Sequence, residues 1–300
     1  MNINNMNIET FLGCDKTFEQ ARIVLFGAPF DSTTSYRPGA RFASRMMRAE
    51  SYGLETYSPY QDLDLEDAAV FDGGDLELCF GDANRALDDI TAYARRILEN
   101  GKLPLMIGGE HLVTLGAVRA VAEKYPDVHV IHFDAHADLR DDYLGAKLSH
   151  ATVLRRVWDI VGDGKIYQFG IRSGEREEFE WGRQHVTTRR FDFEGLEKVV
   201  ESLRGVPVYF TLDLDVLDPS CFPGTGTPEA GGVTFVQLLD AVMKVGGLDI
   251  VGCDINELSP MLDASGVSTA TALKVLRELL LRLEAGAIRC ASLAAAEGIG

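Results

Sequence analysis

The chain has 300 residues, 46% hydrophobic and 25% charged, an ordinary globular composition with enough apolar material for a sizeable core. Asp and Glu number 46 against 29 Lys and Arg, a formal charge of −17. That sign argues against nucleic acid or an anionic membrane as partner and favours a small cationic molecule, although most of the excess reads as solubilising surface.

No run approaches the roughly 18 apolar residues of a membrane helix. Residues 1–15 lack the basic start and apolar core of a signal peptide. Five scattered cysteines (Cys14, Cys79, Cys221, Cys253 and Cys290) form no CxxC pair. Free thiols in a reducing, cytoplasmic setting are therefore expected.

In chain order, the first strand signal is the apolar run 22–27, followed by a polar loop, SYRPGAR, at 35–41. A helix is predicted over 82–100, where Ala86, Leu87, Ile90, Tyr93, Ala94, Ile97 and Leu98 recur at three- and four-residue steps. Asp82 is its predicted N-cap, and Gly101 lies just past its end. Further strands are read at 103–107, 128–133, 166–169 and 208–214. A loop rich in Gly and Pro, CFPGTGTPEAGG, spans 221–232. A last strand is read at 250–255 and a Leu-rich helix at 271–286. The strands are nearly continuous apolar runs, as expected where helices cover both faces of a mostly parallel sheet. Nothing in the chain suggests a linker or repeat, so one α/β domain over 1–300 is expected.

Polar residues end four of these runs. His111 follows one in LMIGGEH; Asp134, His136 and Asp138 alternate in DAHAD after the next. Asp213 and Asp215 alternate in DLDVLDP, and Glu257 follows the last in DINELSP. Alternate positions on an extended chain point the same way, and adjacent parallel strands would bring the rows together. Taken singly, each has a plainer reading: His111 a hydrogen-bonded loop histidine, Glu257 a surface glutamate. His132 reads as a buried, satisfied histidine. Their joint occurrence at successive strand ends argues for a site.

Carboxylates packed this closely repel one another unless cations neutralise them. Two imidazoles with four carboxylates make a hard, oxygen-rich ligand set that suits manganese better than zinc, magnesium or calcium. Six ligands with shared carboxylates suit two ions, which lower the pKa of a bound water.

The motifs GGEH (108–111), DAHAD (134–138), SHATVLRRV (149–157), GIRS (170–173), DLDVLDP (213–219), PGTGTPE (223–229) and DINELSP (254–260) together resemble the ureohydrolases, the arginase and agmatinase family. GAPFD (27–31), RPGARFA (37–43) and DGGD (72–75) resemble its agmatinase-type members. The resemblance runs from about residue 22 to about 285. It implies a three-layer α/β/α sandwich, a homo-oligomer (trimer or hexamer) and two Mn²⁺ ions per subunit. By the family pattern, His111, Asp134, Asp138 and Asp213 hold one ion. His136 and Asp215 hold the other, with Asp134 and Asp213 bridging. A hydroxide between the ions, oriented by Asp138, attacks the guanidinium carbon to give urea and an amine. Glu257 clamps the guanidinium and His150 shuttles a proton to the leaving amine.

Arginases carry a Ser- and Asn-containing loop for the α-carboxylate of arginine; here the stretch at 139–151, LRDDYLGAKLSHA, adds Asp141 and Asp142 instead. With Glu175 of GIRSGE as a candidate ammonium partner, these acids favour agmatine over carboxylate-bearing substrates such as 4-guanidinobutyrate or arginine. Ala151 replaces the glycine that follows this histidine in arginases and bears on substrate fit. Two rivals remain. DLDVLD could open a phosphatase with Asp213 as nucleophile, but that motif should begin its domain. A non-catalytic metal or polyamine binder is the other.

Overall fold

The structure is a computed structural model that describes residues 9–296, with side chains to residue 286. In chain order the elements are β1 (Ile23–Gly27), α1 (Ala43–Ser51), β2 (Tyr57–Ser58), β3 (Leu63–Asp64), β4 (Val70–Asp75), α2 (Ala83–Glu99), β5 (Leu103–Ile107), α3 (Thr114–Lys124), β6 (His129–Phe133), α4 (Val153–Val161), β7 (Ile166–Ile171), α5 (Arg176–His185), β8 (Thr187–Arg190), α6 (Leu196–Ser202), β9 (Pro207–Asp213), α7 (Phe235–Val245), β10 (Asp249–Asn256) and α8 (Val267–Ala296). Eight strands form one sheet in the order β4-β1-β5-β10-β9-β6-β7-β8, and every pairing in it is parallel.

The six apolar runs are the six inner or near-inner strands. The two outermost strands have weaker signals: β4 (VFDGGD) turns Gly-rich and acidic after Val70 and Phe71, and β8 (TTRR) is polar throughout. Alternation along each strand splits the core in two. Ile23, Leu25, Leu105, Ile131, Phe133, Phe210 and Leu212 pack on one face with residues of α1, α7 and α8. Val24, Phe26, Met106, Val130 and Tyr209 pack on the other with residues of α2, α3 and α4. The result is the expected three-layer α/β/α sandwich.

The helix predicted over 82–100 forms with the expected ends. Asp82 accepts hydrogen bonds from the amides of Asn84 and Arg85, and Gly101 takes the positive φ that stops the helix. The last helix begins earlier and extends further than its Leu-rich segment.

Cys14, Cys79, Cys221 and Cys253 are free thiols, and Cys290 lies outside the residues whose side chains are described. Among the described residues no helix is long and apolar enough to cross a membrane.

Candidate metal centre

The four motif-bearing strands are consecutive in the sheet, β5-β10-β9-β6, so their carboxyl ends open on one point. Register brings the motifs level. Phe133 pairs with Leu212, which places Asp134 beside Asp213, and Asn256 pairs with Asp213, which places Glu257 just above. Ligands of open parallel sheets bind at such carboxyl ends.

Strand alternation does not set the aim of the ligands, contrary to the expectation from spacing. β6 stops at Phe133, and DAHAD leaves the sheet as an irregular segment in which Asp138 has φ 53°. Asp213 ends β9 and caps a single 3₁₀ turn that carries Asp215. Glu257 also has a left-handed φ of 66°. Non-glycine residues hold such angles only where their surroundings enforce them, and here those residues face the site.

Two clusters result. Nδ1 of His111 lies 3.0 Å from Asp134 Oδ2, 3.2 Å from Asp138 Oδ2 and 3.5 Å from Asp213 Oδ2. Nδ1 of His136 lies 3.0 Å from Asp215 Oδ2 and 3.4 Å from Asp134 Oδ1. Asp134 thus gives one oxygen to each cluster. All four aspartates are buried.

Burial, with the repulsion of Asp215 and Asp134, pushes the Asp213 carboxyl well above the usual carboxylate range. Burial likewise raises Asp215, and raises Asp138 to about 7. Asp134 goes the other way: burial opposes its ionisation, but hydrogen bonds from His111, His132 and His136 hold it well below the usual range. Such a group of acids cannot be fully ionised without cations.

The residues present fit metal ions. Oδ2 of Asp215 is buried without a hydrogen-bond donor, although His136 Nδ1 is only 3.0 Å away. The two approach without hydrogen-bond geometry, as two ligands of one cation do. The ligand atoms of Asp134, His136 and Asp215 all lie within 4.8 Å of one another.

His132 is a buried, satisfied residue, as expected. Its Nε2 is 2.8 Å from Asp134 Oδ2, and the Gln168 amide donates to its Nδ1 at 3.0 Å.

Glu257 is buried and accepts from the His111 amide at 2.8 Å. Burial, then Glu110, raises its pKa well above normal, so an arriving cation would stabilise it as a carboxylate. His150 opens a 3₁₀ turn before α4. Its Nδ1 is 3.0 Å from the carbonyl oxygen of Thr33 and its Nε2 is 3.3 Å from Ser35 Oγ. Burial lowers its pKa to about 4, so the ring is neutral near pH 7.

The three outer acids are each engaged. Glu175 lines a cleft of about 150 Å³ with His136, Asp138, Arg140 and Ser173, and Arg140 Nη1 donates to it at 2.8 Å. Asp141 pairs with Arg156 at 2.8 Å, and Asp142 accepts from the Gly145 amide at 2.7 Å. Asp141 and Asp142 are exposed.

Several supporting residues were missed by sequence reasoning. His111 Nε2 meets Thr211 Oγ1 at 2.8 Å, and Thr211 donates to Asp254 at 2.6 Å. Ser173 donates to Glu229 at 2.9 Å, and Glu110 holds Thr33 and Thr34. Polar side chains inside otherwise apolar strands, such as Thr211 and Asp254, were the available signal.

The sequence profile of the arginase family matches residues 21–282. The chain belongs to the arginase family. Within it, an agmatinase of Bacillus anthracis is 47% identical over 277 residues, covering 91% of this chain and 96% of that one. The agmatine ureohydrolase structure of Thermoplasma volcanium superposes with a TM-score of 0.86 at 35% identity, covering 93% of this chain and 96% of that one. A guanidinobutyrase of Pseudomonas aeruginosa is 35% identical over 272 residues, covering 85% of this chain and 84% of that one. Arginase-family membership and the His111 and His136 clusters leave the phosphatase reading of Asp213 without support.

Proposed function

We propose that this chain is an agmatine ureohydrolase: agmatine and water give putrescine and urea, with two Mn²⁺ ions per subunit. The observation that carries the reading is Asp134, whose two oxygens are divided between the His111 and His136 clusters while Glu257 lies buried against His111. His111, Asp134, Asp138 and Asp213 would hold one ion, and His136, Asp215, Asp134 and Asp213 the other. When bound, the ions supply a water of lowered pKa. The mixed imidazole and carboxylate set favours manganese.

The chain's own residues do the rest. Oε1 of Glu257 is tied to the His111 amide, and its carboxylate receives guanidinium N–H groups, fixing the carbon for attack. His150, neutral and held through Nδ1, presents Nε2 as an acceptor that would take a proton released by the attacking water and hand it to the leaving amine. Around the cleft the carboxylates Glu175 and Glu178 outnumber the single guanidinium of Arg140, and Glu229 approaches from Ser173. That balance favours a substrate ending in ammonium. Asp142 would add to the field as an exposed charge, and Asp141, paired with Arg156, would add less.

A single catalytic domain acting as a cytoplasmic homo-oligomer completes the reading, supported by the alternation of strands and helices from β4 to α8 and by the free thiols.

Arg140 supports one second reading, a carboxylate-ended substrate such as 4-guanidinobutyrate. The test is urea release by Mn²⁺-loaded protein from agmatine, arginine, 4-guanidinobutyrate and guanidinopropionate. Agmatine should be hydrolysed fastest. Preference for 4-guanidinobutyrate overturns the substrate, and no urea from any of them leaves a metal-holding binder.

A further inference from the structure

The mechanism makes no use of Glu110, a fully buried carboxylate in the turn after β5, with no cation paired to it among the described residues. A buried carboxylate without a counter-charge is costly unless hydrogen bonds satisfy it. Its donors come from two consecutive residues of the irregular segment after β1. Oε2 accepts from the Thr33 amide at 2.9 Å and from Thr34 Oγ1 at 3.1 Å, and Oε1 accepts from Thr33 Oγ1. The backbones are pressed together as well. The Glu110 amide donates to the Phe30 carbonyl at 2.8 Å, and a Cβ on Gly109 would lie 1.9 Å from that oxygen.

The far side of the same segment holds His150. The Thr33 carbonyl takes Nδ1–H at 3.0 Å, and Thr33 Oγ1 accepts from the His150 amide at 3.1 Å. The proton count closes: the Thr33 hydroxyl gives its one hydrogen to Glu110 and accepts from His150. With Nδ1 protonated, Nε2 of the neutral ring is the acceptor, and Ser35 Oγ, 3.3 Å away, can donate to it.

We propose that Glu110 is a positioning residue: through Thr33 and Thr34 it fixes the segment that selects the Nδ1–H tautomer of His150 and aims Nε2 at the substrate. The reading rests on the proposed ureohydrolase role for what Nε2 then does, but the tautomer does not depend on it.

Glu110→Gln keeps the shape and leaves one acceptor oxygen where three donors converge, so Thr33 must rotate or lose a bond. In the Mn²⁺-loaded protein, kcat for urea release is expected to fall by roughly tenfold or more. KM and bound metal should stay close to those of the unaltered chain. ¹⁵N spectra of the imidazoles, collected on the Mg²⁺-loaded protein to avoid paramagnetic broadening, should show His150 moving from a single Nδ1–H form to mixed tautomers.

Thr33→Val, which removes only the hydroxyl, should reproduce the loss, and Thr33→Ser should restore most of it; this pair decides the matter if Glu110→Gln does not fold. An unchanged kcat with an unchanged His150 spectrum overturns the proposal. So does loss of metal with an unchanged spectrum, which would make Glu110 a support for His111 instead. If the unaltered chain releases no urea from any guanidino compound, the functional reading fails, and the ¹⁵N spectra still decide the role of Glu110.

Discussion

Asp134 sets one carboxylate oxygen 3.0 Å from Nδ1 of His111 and the other 3.4 Å from Nδ1 of His136. Among the described residues no other carboxylate pairs with both imidazoles, so it is the position where the two halves of the site should fail together. Asp134→Asn keeps the side-chain shape but replaces one anionic oxygen by an amide nitrogen, which cannot ligate a hard cation. Bound metal should fall below two ions per subunit, and urea release should drop by at least about a thousandfold, in the range of lost metal-assisted catalysis. Elemental analysis beside a urea assay measures both. Full activity with two ions bound would overturn the metal mechanism.

How much of this was readable in advance follows from where chemistry meets strand ends. His111, Asp134, Asp213 and Glu257 each close an apolar run, so both their strands and their meeting point could be inferred from the chain alone. The aim of Asp138 and Asp215 could not, because it depends on a left-handed backbone and a 3₁₀ turn rather than on strand alternation. β4 and β8 escaped because an edge strand needs no long apolar run: β4 has only Val70 and Phe71 before DGGD, and β8 is TTRR. Glu110, Thr211 and Asp254 escaped because one buried polar residue carries no pattern; its partners lie on other strands, far away in the chain.

Glu175 is predicted to matter less than its place in the cleft suggests. Arg140 already donates to it, and its side chain is 55% exposed. Exposed ion pairs contribute little, and a neutralised carboxylate attracts an ammonium weakly. Glu175→Gln should change kcat/KM for agmatine by no more than about threefold, within the energy of such a pair. A change of a hundredfold, carried in KM, would instead make Glu175 the ammonium partner itself.

Asp218 predicts a pH window. Hydrogen bonds from Ser220, Gly231 and Gly232 hold its carboxyl down at about 2, below the ordinary value of 3.8, and so tie the two ends of the Gly- and Pro-rich loop together. A depressed folded pKa means that the stabilisation is complete above the unfolded value and fades as pH falls through the folded one. Asp218→Asn should therefore melt at a lower temperature than the unaltered chain near pH 7. The two melting temperatures should converge between about pH 4 and pH 2. A gap that does not change with pH would show that the carboxylate charge is not involved.

Arg48 joins α1 to the edge strand β4 through two nearly parallel bonds to Asp72, at 2.8 and 2.9 Å, and a further bond to Asp75. Its side chain is 6% exposed. Lysine cannot reproduce that fork. Removing the guanidinium leaves Asp72 buried and unpaired, so Arg48→Ala should cost about 3–5 kcal/mol of stability, with Arg48→Lys recovering part of it. Denaturant unfolding is the measurement, and a cost below about 1 kcal/mol would make the pair a surface-like contact.

His132 is the last test, because it separates a ligand from a residue that holds one. Gln168 donates to its Nδ1 at 3.0 Å, which makes Nε2 the protonated nitrogen and leaves it to donate to Asp134 Oδ2 at 2.8 Å. Burial lowers its pKa to about 4, so it makes that bond as a neutral ring. A group whose only free nitrogen carries a hydrogen cannot also bind a cation, and its effect must pass through the orientation of Asp134. His132→Gln retains a donor of different reach and should weaken Mn²⁺ affinity by about ten- to a hundredfold while two ions still bind at saturation. A stoichiometry that drops to one ion at saturating Mn²⁺ would mean that His132 is itself a ligand.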